Sequence, residues 1–586
     1  MTSIDDLFKK PALPSNKRKL EAAPDPNEIY KSAKLAPNGH AKSNGRTAAV
    51  EYADDDIEAG PSMPPDDEDY EPDIPDDDEG RFFGGGVTQE ESEVLDYLGG
   101  QEPAEIIPEK IDSAWLRKLA LNFEKRITKN AELRAKFEDE PQRFMGSEAD
   151  LDADIKALSI LSEHPELYEE FAKLGCVASL VGLLAHENTD IAIGAVEIIS
   201  ELTDEDVEAE QEQWDAIVDA MVEADLLDLL VSNFARFNED NESDRSGVYH
   251  ALGVLENLAS RVSLAEKIGQ DTTVLKGLLD RIRKKESAVS QNKQYAAEVL
   301  AILLQSSQVN RTKLCGLDGV DILLELLAPY RKRDPIKGTE EEEFVENIFD
   351  SLTCVVDEPE GKQKFVEAEG VELCLIMSRE GKMSKSRALR LLDHALGGQG
   401  GAEVCERLVD AAGLKVVFGM FMKKQDGQTT EHLLGIFSSL LRSLPANSAS
   451  RIRTLAKFVE KDYQKLTNLV KLRRDYAARV GVVDEEIRNE QTKVSAEERE
   501  EMADEWLSKR LDAGLFCLQT VDVILAWLVA EDDGAAKRIS LLLAERDETL
   551  TVLKKTIQEQ LDTIQGDSEE ETVTKDMLST LAQFLT

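Results

Sequence analysis

The sequence is poor in cysteine and aromatic residues, and these shortages exclude several classes of protein. It has six cysteines among 586 residues and no closely spaced cysteine pair, which argues against a disulfide framework. Cys176, Cys374 and Cys517 fall in apolar helical stretches and are predicted to be buried free thiols, as in a reducing compartment. Aromatic residues make up 5% of the chain, and aliphatic side chains carry most of the apolar content, which favours helices over β-sandwiches.

Long apolar runs are also missing. The N-terminal segment MTSIDDLFKKPALPSNKRKL lacks the apolar core of a secretory signal. The longest apolar stretch, 514–530, is interrupted by Gln519 and Asp522 and is shorter than the ~20 residues that a membrane span needs. We therefore expect a soluble, intracellular protein that does not bind membranes.

Recognisable catalytic motifs are absent as well. The sequence contains no GxxxxGK[ST], HExxH or GxSxG pattern and no cysteine and histidine spacing suited to zinc. The GGQGG run at 397–401 lacks a preceding strand and reads as a loop between helices. His186 is predicted in a turn and His394 in a packed helix, neither with an evident partner. We predict no enzyme activity, no catalytic residue, no metal site and no cofactor.

Negative charge is what the sequence has in excess. The formal net charge is −48, and residues 81–586 carry −37 of it. Residues 1–50 carry +4, whereas residues 51–80 hold fifteen acidic residues and no Lys or Arg. Such a surface repels phosphate backbones and attracts Lys/Arg-rich segments. Partners with basic segments are therefore expected, and direct nucleic-acid binding is not.

The chain divides by composition into four parts. Residues 1–105 are rich in Pro, Gly, Asp and Ser and are predicted to be a disordered acidic tail with a basic cluster. Residues 106–160 are expected to form an N-terminal helical cap, 161–450 about six helical repeats, and 451–586 a C-terminal helical cap.

The repeats appear as apolar residues at i, i+3, i+4 and i+7, each group opening a pair of helices. The first apolar residues of these groups are spaced by 49, 48, 46, 51 and 43 positions, as in armadillo or HEAT units. They are Val177, Leu226, Val274, Val320, Val371 and Leu414. Most follow a glycine, expected where φ is positive or helices approach closely: Gly175, Gly319, Gly370 and Gly413. We predict an all-α, armadillo/HEAT-like, right-handed superhelical solenoid.

Two groups of residues are candidates for function. The basic cluster Lys17, Arg18 and Lys19 has the character of a nuclear localisation signal, although a chance charge cluster is the alternative. Several polar residues, mostly acidic, fall at similar points of successive units, where they would line a groove that binds a basic partner peptide. They are Glu197, Glu201, Glu256, Asn257, Glu298, Asp350 and Asp393. The alternative is an ordinary solvated helix face.

Longer blocks of sequence resemble one family, the beta-catenin-like protein 1 family. The resemblance extends over about residues 105–586 and is carried by PEKIDSAWLRKLALNFEKRITKNAELRAKF (108–137), LLAHENTDIAI (183–193), EVLAILLQ (298–305), LDGVDILLELL (317–327), ENIFDSLTC (346–354), RALRLLDHAL (387–396) and KRLDAGLFCLQ (509–519). It implies a nuclear armadillo protein of the spliceosome, in the Prp19-type complex. It also implies binding of basic, nuclear-localisation-type segments of splicing factors, and self-association into a homo-oligomer.

Two other functions stay open from the sequence. One is a nuclear transport receptor like importin-α, although the W-x-x-x-N ladder of that family is missing, since Gly253 stands four residues before Asn257. The other is a passive scaffold or regulatory subunit. Partner binding that weakens strongly with salt would favour an adaptor or a receptor over a scaffold.

Overall fold

The computed structural model describes residues 110–585, apart from 271, 565 and 567. The chain divides into two units, Met1–Ile111 and Asp112–Thr586. All the described helices belong to the second unit. The described residues form α-helices and short 3-10 helices and no strand, which confirms the all-α prediction. The tail predicted for 1–105, with Lys17, Arg18 and Lys19, lies outside the described residues.

Two helices precede the repeats, α1 (Ser113–Lys136) and α2 (Met145–Ala157). The first begins at Asp112, whose carboxylate accepts hydrogen bonds from the backbone N–H groups of Ala114 (3.0 Å) and Trp115 (3.1 Å). This cap satisfies backbone donors that have no partner within the helix. Leu116 and Phe123 on α1 are buried, and α1 packs against α2.

The next eighteen α-helices fall into six consecutive triplets, each with two short helices and a longer third helix. The triplets are α3–α5 (Tyr168–Lys173, Cys176–Gly182, Thr189–Leu202), α6–α8 (Gln211–Glu223, Leu226–Arg236, Glu242–Ala259), α9–α11 (Val262–Gln270, Thr272–Arg283, Gln291–Ser306), α12–α14 (Gln308–Gly316, Gly319–Leu327, Glu340–Val355), α15–α17 (Pro359–Glu367, Gly370–Glu380, Met383–Leu396) and α18–α20 (Gly401–Asp410, Gly413–Phe421, Gly427–Ser443).

Each third helix packs against the third helix of the next triplet, from α5 through α20. Apolar side chains on both sides of these helices are buried, as Val196 and Ile198 are on α5. One triplet cannot cover its own apolar face, so stacking is what removes that face from water. Each fully buried Leu, Ile or Val contributes about 1.5–3 kcal/mol relative to an exposed side chain.

The junction between the first and second helices explains the repeated glycines. In the first triplet Gly175 itself has a positive φ of 78°. In the fourth triplet the positive φ of 55° belongs to Asp318, and Gly319 is needed for space. A Cβ on Gly319 would lie 2.4 Å from Cγ of Leu314 on the preceding helix. Close helix approach, the second of the two reasons expected from the sequence, therefore explains the glycine of this triplet.

Seven helices come after the triplets: α21 (Ala449–Gln491), α22 (Ala496–Glu501), α23 (Ala503–Asp512), α24 (Leu515–Glu531), α25 (Asp533–Ala544), α26 (Thr551–Thr563) and α27 (Glu569–Phe584). Helix α21 is broken at 460–463, where Lys461, Asp462 and Tyr463 take positive φ. Helix α24 packs against α20 and so continues the series of third helices. Most of its apolar residues are buried, although Phe516 is 39% exposed. Cys517 on this helix is buried, as predicted from the sequence.

The sequence predicted no disulfides, no metal site and no membrane span, and the structure can be compared with each of these predictions. All six cysteines are free, and burial raises the pKa of Cys176 to about 11. Within residues 110–585, apart from the three gaps, no group of His, Cys, Asp and Glu is arranged to hold a metal ion. In the same part of the chain no single helix is long and apolar enough to cross a membrane, and the pair α23 and α24 reaches that length only together, with a bend of 66°.

Candidate protein-binding face

We call the candidate residues of the third helices the third-helix face. They are Glu197, Glu201, Glu256, Asn257, Glu298, Asp350 and Asp393. These residues lie on α5, α8, α11, α14 and α17, which stack in that order. Their environments differ along the series. What differs is the set of groups that contact each side chain.

On α5, Glu197 is exposed and Glu201 is half-buried. The Glu201 carboxylate accepts hydrogen bonds from the hydroxyl groups of Ser159 (2.7 Å) and Ser162 (3.0 Å). Glu197 acts at a distance: its charge opposes the lowering of the pKa of His250 on α8, which burial causes. Hydroxyl donors orient a carboxylate without cancelling its charge, so this end of the face stays negative.

On α8, Glu256 and Asn257 contact neighbouring triplets. The hydroxyl group of Tyr295 on α11 donates to the Glu256 carboxylate. Burial, with the nearby Glu256 charge, raises the pKa of Tyr295 far above its usual range. The Asn257 amide nitrogen donates to the carbonyl oxygen of Ser200 (3.2 Å) and to Oγ1 of Thr203 (3.2 Å). Asn257 therefore joins two triplets.

On α11, the Glu298 carboxylate accepts a hydrogen bond of 2.8 Å from the side-chain amide of Gln294, one turn earlier. Glu298 also adds to the negative field around Tyr295 and raises its pKa further. Glu256 and Glu298 thus converge on Tyr295. The structure brings these two predicted residues close to one side chain.

On α14, the half-buried Asp350 is paired within the chain. Its Oδ1 lies 2.9 Å from Nη1 of Arg390 on α17, and Arg387 pairs in the same way with Glu346. Burial raises the pKa of Asp350, while the charges of Arg390 and Arg387 act in the opposite direction. Two arginines of α17 thus neutralise two acids of α14.

On α17, Asp393 contacts α20, where Nδ1 of His432 lies 3.0 Å from its Oδ2. Gly435 makes the approach feasible, because a Cβ there would lie 2.1 Å from Oδ1 of Asp393.

Nδ1 of His394 lies 3.0 Å from Oδ1 of Asp357. Asp357 lies in the loop between α14 and α15, and Nε2 of His186 lies 3.1 Å from Oδ1 of Asn130. Both histidines therefore have partners that the sequence did not make evident.

The sequence reasoning missed the groups that contact the predicted residues, chiefly Tyr295, Arg387, Arg390 and His432. A signal for the two arginines was present. Arg387 and Arg390 are three residues apart on one helix, and Glu346 and Asp350 are four apart on the preceding third helix. Such spacings place each pair on one helix side.

Stacked helix triplets with a polar third-helix face define the chain as an armadillo-type protein-binding solenoid. A family described as "Catenin-beta-like, Arm-motif containing nuclear" matches residues 92–558. The beta-catenin-like protein 1 homolog of Schizosaccharomyces pombe is 39% identical over 84% of this chain and 86% of its own length. Beta-catenin-like protein 1 of Homo sapiens is 37% identical over 78% of this chain and 82% of its own length. The chain belongs to the beta-catenin-like protein 1 family.

Solved structures include a similar chain, a designed armadillo repeat protein. It has a TM-score of 0.35 and 15% identity, and the match covers 45% of this chain and 99% of that chain. The armadillo fold predicted from the sequence is confirmed by the helix triplets together with the family match, which spans all six of them.

Proposed function

We propose that this chain is a non-enzymatic nuclear adaptor of the spliceosome, in the Prp19-type complex, which binds basic nuclear-localisation-type segments of splicing factors on its third-helix face. The nuclear part is supported by the family description, which contains the word "nuclear". It is also supported by the import-type cluster Lys17, Arg18 and Lys19. The binding part rests on the third-helix face itself.

The observation that carries the proposal is the state of Glu197 and Glu201 on α5. These residues are one helical turn apart, Glu197 is exposed, and the hydroxyl groups on Glu201 leave its charge in place. A Lys or Arg side chain laid across α5 would meet two carboxylates at once. Further along, the Arg390 and His432 contacts already satisfy Asp350 and Asp393. We therefore assign the principal contact to the first three triplets.

An importin-like receptor is a weaker alternative because of Asn257. Its amide nitrogen is occupied by Ser200 and Thr203 of the preceding triplet, so it is not directed at a ligand backbone. A receptor of that kind would carry Trp at the position of Gly253, where even a Cβ would lie 3.2 Å from Oγ of Ser200. A larger residue at this position would require Ser200 to shift. If partner binding does not depend on charge, the passive scaffold is the alternative that remains.

The test measures binding of the full chain to a fluorescein-labelled Lys/Arg-rich import-type peptide at low and high salt. The variants are Glu197→Gln with Glu201→Gln, and the same two positions changed to Lys. Glutamine keeps an acceptor oxygen for Ser159 and Ser162, so the fold is maintained. We expect the glutamine variant to bind about three- to tenfold more weakly and the lysine variant more weakly still.

The matched control is Asp321→Lys with Glu325→Lys on α13. These two residues are also four apart and exposed, but they lie on a second helix. The control makes the same change in net charge, so wild-type-like binding separates a local site from a general charge effect. Equal weakening in both lysine variants would contradict the assignment, and binding that is indifferent to salt would favour the passive scaffold.

Self-association is a separate part of the proposal, taken from the family resemblance. Light scattering of the purified full chain over a range of concentrations tests it. A mass that stays at 65.0 kDa, the mass of one chain, would contradict it.

A further inference from the structure

Four loops of this acidic chain are basic, and each lies where the second helix of a triplet ends. They are the segments 283–286, 331–337, 379–385 and 422–426, which we call the basic edge. Together they hold twelve Lys or Arg and four Asp or Glu, a net charge of +8 in a chain of −48. Positive charge is thus concentrated at one recurring position of the third to sixth triplets.

Contacts between the loops place them side by side. Asp334 in the second loop accepts a hydrogen bond of 3.1 Å from the backbone N–H of Met383, just after Lys382 in the third. Nζ of Lys332 lies 3.9 Å from Glu380. The first loop is joined to the fourth triplet through Lys293, whose Nζ donates to the carbonyl oxygen of Lys284 (2.7 Å) and lies 5.3 Å from the Phe344 ring centroid. Lys385 and Asp426 interact electrostatically across the last two loops.

Eight of the twelve basic side chains are exposed and make no side-chain hydrogen bond or ion pair within residues 110–585. They are Arg283, Lys285, Arg331, Lys337, Arg379, Lys382, Lys423 and Lys424. Cations near a helix C-terminus can serve the helix dipole, and Arg283 and Arg379 suit that role. Lys337, Lys382 and Lys424 lie beyond the helix ends, so helix stability does not account for them.

Two large apolar side chains are exposed among these lysines. Ile336 is 67% exposed beside Lys337, and Met422 is 41% exposed beside Lys423. Exposed apolar groups within a charged rim are typical of protein contact surfaces. Because residues 81–586 carry −37 in total, a long polyanion such as a nucleic acid is repelled by the rest of the surface, whereas a short segment is affected mainly by the nearby loops.

We propose that the basic edge is a second interaction surface, which binds a short acidic segment of a partner protein with apolar side chains among its carboxylates. It is distinct from the third-helix face in position and opposite in charge. One solenoid would then hold a basic segment on its third helices and an acidic segment on its loops. Neither binding event requires the other.

The experiment uses the full chain and a fluorescein-labelled peptide of alternating Glu-Leu-Asp composition, titrated at low salt. The edge variant carries Arg331→Glu, Lys337→Glu, Lys423→Glu and Lys424→Glu. Its matched control carries Lys125→Glu, Lys471→Glu, Lys493→Glu and Lys537→Glu, four exposed lysines elsewhere. We expect the edge variant to bind at least about tenfold more weakly than wild type, and the control to bind less than about threefold more weakly.

Circular dichroism melting of both variants checks that each remains folded. For the edge variant this is expected, because its four side chains make no hydrogen bond or ion pair within residues 110–585. Equal weakening in the two variants, or no binding by the wild type at low salt, would overturn the proposal. A single-stranded oligonucleotide serves as the competing probe. If it bound the edge more tightly than the peptide does, the acidic-peptide assignment would be wrong.

Discussion

Carboxylates have different partners at the front of the third-helix series, which is α5, and at its back, from α14 to α24. On α5 a carboxylate is exposed or held by serine hydroxyls, as Glu197 and Glu201 are. On α14 a half-buried carboxylate is paired with arginine, as Asp350 is with Arg390. On α24, the continuation of the series, Asp522 is fully buried and lies 2.8 Å from Arg473.

This gradient shows that acids at equivalent points of a repeat need not share a role. A carboxylate held by hydroxyls retains its field for a ligand, whereas one paired with arginine contributes to the joint between units. The sequence therefore did not reveal that Asp350 is already paired within the chain. The front of the series is suited to binding and the back to cohesion.

The largest effect is expected at the back, from Arg473→Met. At a pH of about 9, well above the raised pKa of Asp522, the change leaves an ionised carboxylate buried without its partner, which should cost about 3–5 kcal/mol of stability. A lowered thermal midpoint by circular dichroism would show it. The double variant Arg473→Met with Asp522→Leu should recover most of the loss, because it buries no charge. If the double variant were as unstable as the single one, packing rather than charge would explain the effect.

A second prediction concerns pH. Burial raises the pKa of Asp522 to about 7, although the Arg473 charge acts against it. A carboxyl with a raised folded-state pKa contributes stability below its unfolded pKa and loses it as pH rises through the folded value. The Asp522 contribution should therefore decrease between about pH 4 and 7. Thermal midpoints of the wild type should fall more steeply over this interval than those of Asp522→Asn, and parallel curves would contradict this.

The smallest effects are expected from two variants, Arg390→Met at the back of the series and Glu197→Gln at its front. Arg390→Met leaves half-buried Asp350 without its ion-pair partner, which should cost about 1–3 kcal/mol. Glu197→Gln, on an exposed face, should stay within about 0.5 kcal/mol. Denaturant midpoints of the two variants measure the difference. Similar midpoints would mean that the front and back carboxylates are equally engaged in the fold.

Much of the fold could be predicted from the sequence because apolar spacing specifies which helix faces become buried. The six residues chosen as landmarks, from Val177 to Leu414, all lie within the first three residues of a second helix. The position of positive φ was harder to predict. Asp225, Asp318, Glu369 and Ala412 adopt it without being glycine. The backbone N–H groups of Asp225, Glu369 and Ala412 each bond to the carbonyl oxygen three residues earlier, at the end of a first helix. Residue type alone does not reveal this conformation.

The sequence supplied candidate residues on the third helices, but it did not reveal which groups contact them. Equivalent positions in the repeat identified Asp350 and Asp393, whereas their pairing with Arg390 and His432 depends on how adjacent triplets stack. The basic edge shows the same limit. The runs at 283–285 and 331–333 are visible in the sequence, but only the stacked units place them on one side.

The ends of the described solenoid complete their packing at different stages of synthesis on the ribosome. Neighbouring triplets can pack as they emerge, because each third helix contacts the next. The back also depends on contacts between residues far apart in the chain. Arg451 pairs with Glu531, which is 80 residues later, and Arg442 donates to Thr574, which is 132 residues later. Helix α24 packs against α20 and α21, but its contacts with α26 and α27 can form only after those last helices have emerged. Part of its apolar surface therefore stays exposed on the nascent chain until then.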